Sequence, residues 1–218
     1  MENKKQILEP KSMQNIVDKY RDRYSSSMPK LPARLPVKLG SLDDTYLRLR
    51  AIYSLEVELR NDVFKLDDDT DDKLKRVSRW LCDSSKRGLI LMGNMGTGKS
   101  TMLKSIHRLL ECWGMFGDAQ DIFEHFKKNN GAMRYWDERL VLVDDLGVEP
   151  WRCMNFGEES FPLTRLLLHR YDRNLTTIVA TNLDFPEIEK KYGDRLADRM
   201  FEMYDVLTYN NDSYRRQK

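Results

Sequence analysis

From residue 88 onward, short runs of apolar residues alternate along the chain with longer segments in which apolar residues recur at helical spacing. The short segments predict strands at 88–92, 140–143, 176–180 and 205–209. The helical patterns predict helices at 99–113, 118–128, 159–173 and 187–203, the last as one or two helices. Strands that alternate with helices indicate a mostly parallel sheet with helices on both faces, so we expect an α/β fold.

The first 62 residues have a different pattern, and we expect them to form a helical and linker region in front of a larger domain at 63–218. Residues 12–24 favour a short amphipathic helix, and prolines at 29, 32 and 36 indicate an extended linker. Residues 1–38 carry nine Lys/Arg against four Asp/Glu. This basic segment is either a solvated tail or an arm that docks on a partner protein.

Two further helices are predicted between this segment and the first strand. Ser41 and Asp44 favour a helix start, and Leu47, Ile52, Leu55 and Leu59 recur near helical spacing as far as residue 64. An aspartate-rich run at 67–72 precedes a helix at 71–82. Its acids favour a helix N-terminus through the dipole, and a metal site is the less favoured interpretation.

Composition indicates the cellular compartment of the protein more clearly than its function. The chain has 218 residues, 40% of them hydrophobic, and a net charge of +2, so nucleic acid would have to bind to local basic patches. Three cysteines without metal-binding or disulfide spacing predict a reducing cytoplasm. There is neither an apolar signal segment nor a run of membrane-spanning length, so we expect no membrane association.

A glycine-rich loop between the first predicted strand and the next helix fits the phosphate-binding pattern G-x-x-x-x-G-K-[ST] in full. It consists of Gly93, Asn94, Met95, Gly96, Thr97, Gly98, Lys99, Ser100 and Thr101. Glycines let backbone N–H groups approach phosphate oxygens, Lys99 would reach the β- and γ-phosphates, and Ser100 would bind Mg²⁺. The sequence therefore predicts a P-loop NTPase that binds ATP and Mg²⁺.

A magnesium–triphosphate site needs a second carboxylate, and the apolar run at 140–143 is followed at once by two. Asp144 and Asp145 emerge at the carboxyl end of a predicted strand, where open α/β sheets bind ligands. We expect Asp144 to bind Mg²⁺ and Asp145 to orient or activate the attacking water. The alternative for Asp145 is a cap for the turn at residues 146–147.

Four later segments resemble one family of ATPases. Residues 144–149 read D-D-L-G-V-E, 177–183 read T-I-V-A-T-N-L, 192–200 read Y-G-D-R-L-A-D-R-M, and 211–215 read N-D-S-Y-R. In this order after a P-loop they resemble AAA+ helicase loaders of the DnaC type and the IstB-like ATPases of transposition. The resemblance implies an AAA+ domain without a C-terminal helical lid.

The resemblance also implies roles for four more residues. Asn182 would hydrogen-bond the attacking water or the γ-phosphate, and Arg215 would contact the nucleotide of its own subunit. Arg199 would be the arginine finger that reaches a neighbouring subunit, with Arg195 as the alternative. Both could instead be ordinary surface arginines paired with nearby acids. Because Asp145 stands where many AAA+ enzymes have glutamate, we expect slow hydrolysis.

The function implied is an ATP-dependent loader that places a replicative hexameric helicase on single-stranded DNA, binding the helicase through residues 1–62. The alternative is an IstB-like helper that assembles on duplex DNA and recruits a transposase, and a third is a nucleotide-dependent scaffold with negligible turnover. The basic and aromatic residues at 123–136 predict a single-strand contact, unless those aromatics are core. The adenine pocket is expected near residues 64–75.

Overall fold

The computed structural model describes residues 14, 15, 18, 34, 35, 38–129, 131, 135, 137–211 and 214. By contacts the chain divides into two compact units, Met1–Pro32 and Ala33–Lys218. In the first unit, Gln14, Asn15 and Asp18 are helical. The apolar residues of the amphipathic helix predicted there lie outside the described residues.

The second unit is an α/β domain built on a parallel sheet, as predicted. Its strands are β1 (Gly88–Gly93), β2 (Met115–Asp118), β3 (Leu140–Leu146), β4 (Cys153–Asn155), β5 (Glu158–Ser160), β6 (Thr176–Thr181) and β7 (Tyr204–Tyr209). Its helices are α1 (Leu42–Glu58), α2 (Asp68–Asp83), α3 (Lys99–Leu109), α4 (Ala119–Lys128), α5 (Pro162–Asp172), α6 (Phe185–Tyr192) and α7 (Asp194–Met203). The main sheet has the order β2-β3-β6-β1-β7 with every pair parallel, whereas β4 and β5 form an antiparallel hairpin.

Alternate residues of the central strands face two separate cores. Ile90, Val141 and Val179 pack with α4 to α7 on one face, whereas Leu91, Leu142 and Ile178 pack with α1 to α3 on the other. Burial on both faces explains why these strands read as continuous apolar runs. Helix α1 packs in the core that it shares with α2 and α3, so it belongs to the compact unit that begins at Ala33. The partner-docking role of residues 1–62 stays a prediction.

Most of the leucines that mark the helical spacing of α1 lie away from the core. Leu47, Leu55 and Leu59 are 60%, 47% and 60% exposed. The buried residues are Thr45, Leu49, Tyr53 and Glu56, which contact α2 and α3. The spacing of the leucines predicts a helix but does not identify its buried face, because a helix with apolar residues on two sides can bury either one.

Two helices end earlier than predicted, and residues with positive φ mark both ends. Helix α1 ends at Glu58 rather than at residue 64, with Asn61 at φ +58°. Helix α3 ends at Leu109 rather than at residue 113, with Glu111 and Cys112 at φ +56° and +57°. A left-handed residue cannot continue a right-handed helix, and apolar spacing does not reveal it.

Sequence patterns also missed three short strands and misplaced one helix start. Strands β2, β4 and β5 have three or four residues each, too few to show a period. The helix predicted from residue 159 begins at Pro162, because proline fits the first helical position while the residues before it pair with β4.

The aspartate-rich run at 67–72 starts a helix, as its acids favoured. The Asp67 carboxylate accepts from Thr70 N–H at 2.7 Å and caps α2, which begins at Asp68 rather than at residue 71. Asp69 and Asp71 pair with lysines one turn further on.

Among the described residues, none of the helices combines the length and the apolar character that a membrane span requires.

Candidate functional site

The predicted phosphate-binding loop connects β1 to α3 at the carboxyl edge of the sheet. Gly93 and Gly98 have φ of +145° and +99°, which favour glycine. A Cβ at Gly93 would collide with the Tyr209 carbonyl, and a Cβ at Gly98 would lie 2.7 Å from the Tyr53 hydroxyl. Gly98 caps α3 without a side-chain hydrogen bond, which leaves the first N–H groups of the helix for an anion.

Lys99 is held over the same loop. Its side chain is buried, and Nζ donates to the carbonyl oxygens of Gly93 and Asn94, each at 2.6 Å. Thr97 Oγ1 donates to the Asn94 carbonyl at 2.8 Å and closes the turn. The ammonium group therefore lies in the cradle where a phosphate would bind.

The two predicted magnesium ligands meet across 44 residues of sequence. Ser100 Oγ donates to Asp144 Oδ1 at 3.0 Å. Asp144 is buried, and burial raises the pKa of its carboxyl group; the Ser100 hydrogen bond opposes the shift and the charge of Asp145 adds to it. A buried carboxylate beside a hydroxyl suits a small divalent cation, because both are hard oxygen ligands.

The donor set fits an ion bound together with phosphate rather than by protein alone. Among the described residues, no group of three or more His, Cys, Asp or Glu could hold a metal. Mg²⁺ usually binds one or two protein ligands and takes its other ligands from phosphate and water. The glycine cradle, the buried lysine and this pair of oxygen ligands together fit a magnesium–nucleotide.

Asp145 lies beside this pair in an unusual backbone conformation. Its φ is +49°, and the register of β3 against β6 shifts between Val143 and Leu146. Its N–H donates to Asp144 Oδ1 at 3.1 Å, and its carbonyl accepts from Val148 N–H at 3.2 Å. This irregularity lies at the carboxyl end of β3, so the half-buried Asp145 lies at the carboxyl edge of the sheet.

Asn182 follows the neighbouring strand at the same edge. Thr181 ends β6 and pairs with Met92 of β1 and with Leu146 of β3, so Asn182 leaves the sheet between the strands that carry the loop and the acids. Its side chain is half-buried. The topology therefore brings the glycine loop, Asp144 and Asn182 to the same edge of the sheet.

The predicted arginines lie elsewhere. Arg199 is on α7, where it pairs with Glu202 at 3.4 Å and lies 4.9 Å from the centre of the Tyr171 ring. Arg195 is exposed on the same helix. Neither has a described contact with the glycine loop. Arg215 lies outside the described residues.

Sequence reasoning missed a group of residues underneath the glycine loop. Tyr214 N–H donates to the Gly96 carbonyl at 3.0 Å, and its hydroxyl lies 3.0 Å from Thr70 Oγ1. Lys73 is buried and donates to Asn211 at 2.6 Å. These contacts bring the start of α2 close to the loop, where the adenine pocket is expected. Tyr214 lies within a motif already singled out, but no periodic signal marks Thr70 or Lys73.

Comparisons with known proteins agree with this geometry at the level of the fold. No protein-family model matches the sequence, and no curated protein matches it either. The solved DnaC helicase loader is 20% identical with a TM-score of 0.51, covering 67% of this chain and 93% of that one. The solved DnaI structure is 19% identical with a TM-score of 0.52, covering 70% of this chain and 88% of that one. The predicted α/β fold with a parallel sheet is therefore confirmed, and the chain shares it with both of these solved structures.

Proposed function

We propose that this protein binds ATP with Mg²⁺, hydrolyses it slowly, and loads a replicative helicase onto single-stranded DNA. The contact between Ser100 and Asp144 carries the proposal, since it joins the glycine loop to the acidic strand end as a magnesium–triphosphate site requires. The fold that the chain shares with solved helicase loaders supports the loading role over other uses of a P-loop.

The residues of the site divide the work. Lys99 would hold the β- and γ-phosphates, and Ser100 and Asp144 would hold Mg²⁺. When bound, ATP supplies the phosphoryl group whose transfer to water would reset the protein. Asp145 would orient that water and Asn182 would hydrogen-bond it. Because an aspartate reaches less far than a glutamate, we expect turnover to be slow.

Two further residues would complete the site from the α7 side and from the C-terminal segment. Arg199 would approach the nucleotide of a neighbouring subunit, where a guanidinium stabilises the charge of the transferring group. Arg215 would contact the nucleotide of its own subunit, and it directly follows in sequence Tyr214, whose N–H donates to the Gly96 carbonyl of the glycine loop. Assembly of subunits would then depend on bound ATP.

The exposed leucines of α1 support a docking role for the N-terminal region. Leu47 and Leu55 on α1 and Leu59 directly after its end are each at least 47% exposed, so they place an apolar surface, the leucine surface, on the side of the helix away from the core. An exposed apolar surface of this kind suits a helical or groove-forming partner. We assign the leucine surface, with the basic segment before it, to the helicase.

Binding to the helicase tests this assignment directly. In pull-down with a hexameric replicative helicase and ATP, the wild-type chain should bind, and the double variant Leu55→Glu/Leu59→Glu should lose at least tenfold in affinity. Met154→Glu changes an equally exposed apolar residue on the β4–β5 hairpin and should bind normally. A wild-type chain that fails to bind the helicase would contradict the loading role.

Single-stranded DNA would be bound through basic residues at the end of α4 rather than through its aromatic residues. Phe123 and Phe126 are buried in the core, which excludes them as stacking platforms. Lys127 and Lys128 are exposed and available to phosphates. The variant Lys127→Glu/Lys128→Glu should weaken binding to single strands, whereas Lys190→Glu on α6 should not. A strong preference of the wild type for duplex DNA would favour the transposition helper instead.

A further inference from the structure

Glu149 is a buried carboxylate that the proposed chemistry does not use. Only 2% of its surface is exposed, and both of its oxygens accept hydrogen bonds. Oε2 accepts from Gly147 N–H at 2.9 Å, and Oε1 accepts from the hydroxyl of Tyr192 at the end of α6. Burying a carboxylate is costly unless it is fully paired, so this arrangement holds the loop after Asp145 in one conformation.

Lys191 fastens the same loop from the same turn of α6. Its Nζ donates to the carbonyl oxygens of Gly147 and Glu149, the latter at 2.7 Å. The burial of Tyr192 and its contact with the Glu149 carboxylate raise the pKa of the tyrosine, so its hydroxyl stays protonated as the donor. We name Glu149, Lys191 and Tyr192 the clasp.

The loop under the clasp begins at one predicted catalytic residue, Asp145, and packs against Leu183, the residue after another, Asn182. The Asp145 carbonyl accepts from Val148 N–H, so the turn held by the clasp begins at Asp145. Gly147 has φ +112°, and a Cβ there would lie 2.7 Å from the side chain of Leu183, which follows Asn182. A left-handed conformation such as that of Asp145 persists only when its surroundings enforce it.

The other end of the clasp leads directly into the helix that carries the arginines. Tyr192 is the last residue of α6, Gly193 has φ +89° and ψ +155°, and α7 begins at Asp194. The helices α6 and α7 also pack against each other. A change in the turn after Asp145 would therefore reach the end of α6 through these hydrogen bonds, and α7 through the single linking residue Gly193 and the packing of the two helices.

We propose that Glu149, Lys191 and Tyr192 are positioning residues that hold Asp145 in place and couple its turn to the helix carrying Arg199. This proposal rests on the proposed ATPase function. A change at Asp145 in the nucleotide site of one subunit would then shift Arg199 of the same subunit. Arg199 in turn would act on the nucleotide of the neighbouring subunit.

The test compares two buried tyrosines that each lose one hydroxyl group. Tyr192→Phe breaks the clasp. Tyr204→Phe removes a buried hydroxyl that bonds Thr177 at the opposite, amino edge of the sheet, and serves as the matched control. For each variant we would measure ATP affinity, kcat, and amide hydrogen exchange of the nucleotide-free chain at residues 145–149 and 193–203.

We expect Tyr192→Phe to lower kcat at least tenfold with ATP affinity within twofold of wild type, and to speed exchange in both segments. Tyr204→Phe should leave kcat and exchange at residues 145–149 unchanged, and Lys191→Met should act in the same direction as Tyr192→Phe. In an Arg199→Ala background the Tyr192→Phe effect on kcat should shrink, because both changes then act on one arginine.

Other results would overturn the clasp or the function separately. If the wild type turns over ATP and Tyr192→Phe keeps its kcat, the positioning role is wrong. Equal exchange at 193–203 in the wild type and in Tyr192→Phe would rule out the link to α7. A wild-type chain without ATP binding or turnover would instead overturn the proposed function, and the exchange data would still decide whether the clasp joins the two segments.

Discussion

The glycine-loop side of the site and the α7 side are built differently. Around the loop, Lys99 and Asp144 are buried and their polar atoms have partners within the chain. On α7, the Arg199 side chain is 39% exposed and pairs with a carboxylate that is itself exposed. Surface pairs of this kind contribute little to stability. One side of the site is therefore fixed by folding, whereas the other is held loosely.

This difference shows which parts of the proposed reaction belong to one subunit. A preorganised loop binds its ligand without rearranging, so nucleotide binding should need only a monomer. An arginine in a weak surface ion pair can leave its carboxylate and pair with a more strongly charged phosphate group, and losing the first pair costs little free energy. We therefore expect binding and turnover to respond differently to mutations on the two sides.

The largest effect should come from Lys99→Ala on the loop side. Loss of the buried ammonium group removes the only side chain of the loop that matches the charge of the β- and γ-phosphates. Titration with a fluorescent ATP analogue should show at least a hundredfold weaker binding, and Lys190→Ala on the surface of α6 should bind normally. Binding of the Lys99 variant at wild-type affinity would remove the basis for the P-loop assignment.

Arg199→Ala should separate the two sides. We expect turnover to fall by two orders of magnitude or more while ATP affinity of the monomer is unchanged, because the guanidinium would act on the neighbouring subunit. A mixture of Arg199→Ala and Lys99→Ala chains should regain part of the activity, since each variant supplies what the other lacks.

The result for Arg199 has a direct control on the same helix. Arg195→Ala removes an exposed arginine one turn earlier and should leave most of the turnover intact. Normal turnover in the Arg199 variant, or a larger loss in the Arg195 variant, would refute the assignment. A mixture with no recovery would indicate that Arg199 acts within its own subunit.

The loop side was also the part that the sequence predicted best. Buried parallel strands read as apolar runs, so β1, β3 and β6 were located within a few residues, and Asp144 and Asp145 were placed at the carboxyl end of their strand. The exposed leucines of α1 show the limit of such patterns. Leu55 and Tyr53 both continue a helical pattern, and only packing against α2 and α3 decides that Tyr53 is buried.

The clasp shows why other functional contacts were missed. Glu149 and Tyr192 are 43 residues apart, and each stands in a motif that the sequence had already singled out. No spacing rule relates an acid after one strand to the end of a helix after another strand. The contact exists because β3 and β6 are neighbours in the sheet, which brings the segments that follow them together.

Asp145→Glu should have a smaller effect than either loop or arginine mutation. An additional methylene group extends the carboxylate further toward the water that it would orient, so we expect kcat to rise severalfold in steady-state phosphate release. Asp145→Asn provides the opposite change and should lower kcat. If Asp145→Asn leaves a low baseline unchanged, a scaffold with negligible turnover becomes the better description.

The smallest effect concerns stability and tests how tightly the loop side is built. Burial raises the pKa of Asp144 above its ordinary value of 3.8, so the folded chain binds this proton more strongly than the unfolded chain. Stability is therefore lost as pH rises through that range, and the ionised carboxylate destabilises the nucleotide-free protein at neutral pH. Asp144→Asn should stabilise it by about 1 kcal/mol at pH 7, while abolishing Mg²⁺-dependent turnover.

Thermal unfolding without nucleotide at several pH values checks this expectation. For a chain of this length the gain corresponds to roughly 2–4 °C in Tm. The gain should narrow as pH falls toward the raised pKa, because Asp144 of the wild type then takes up its proton and the penalty disappears. A gain that persists unchanged in acid would mean that the charge of Asp144 is not its cause. A variant less stable than wild type at pH 7 would mean that the contacts with Ser100 and the Asp145 amide outweigh the burial of the charge.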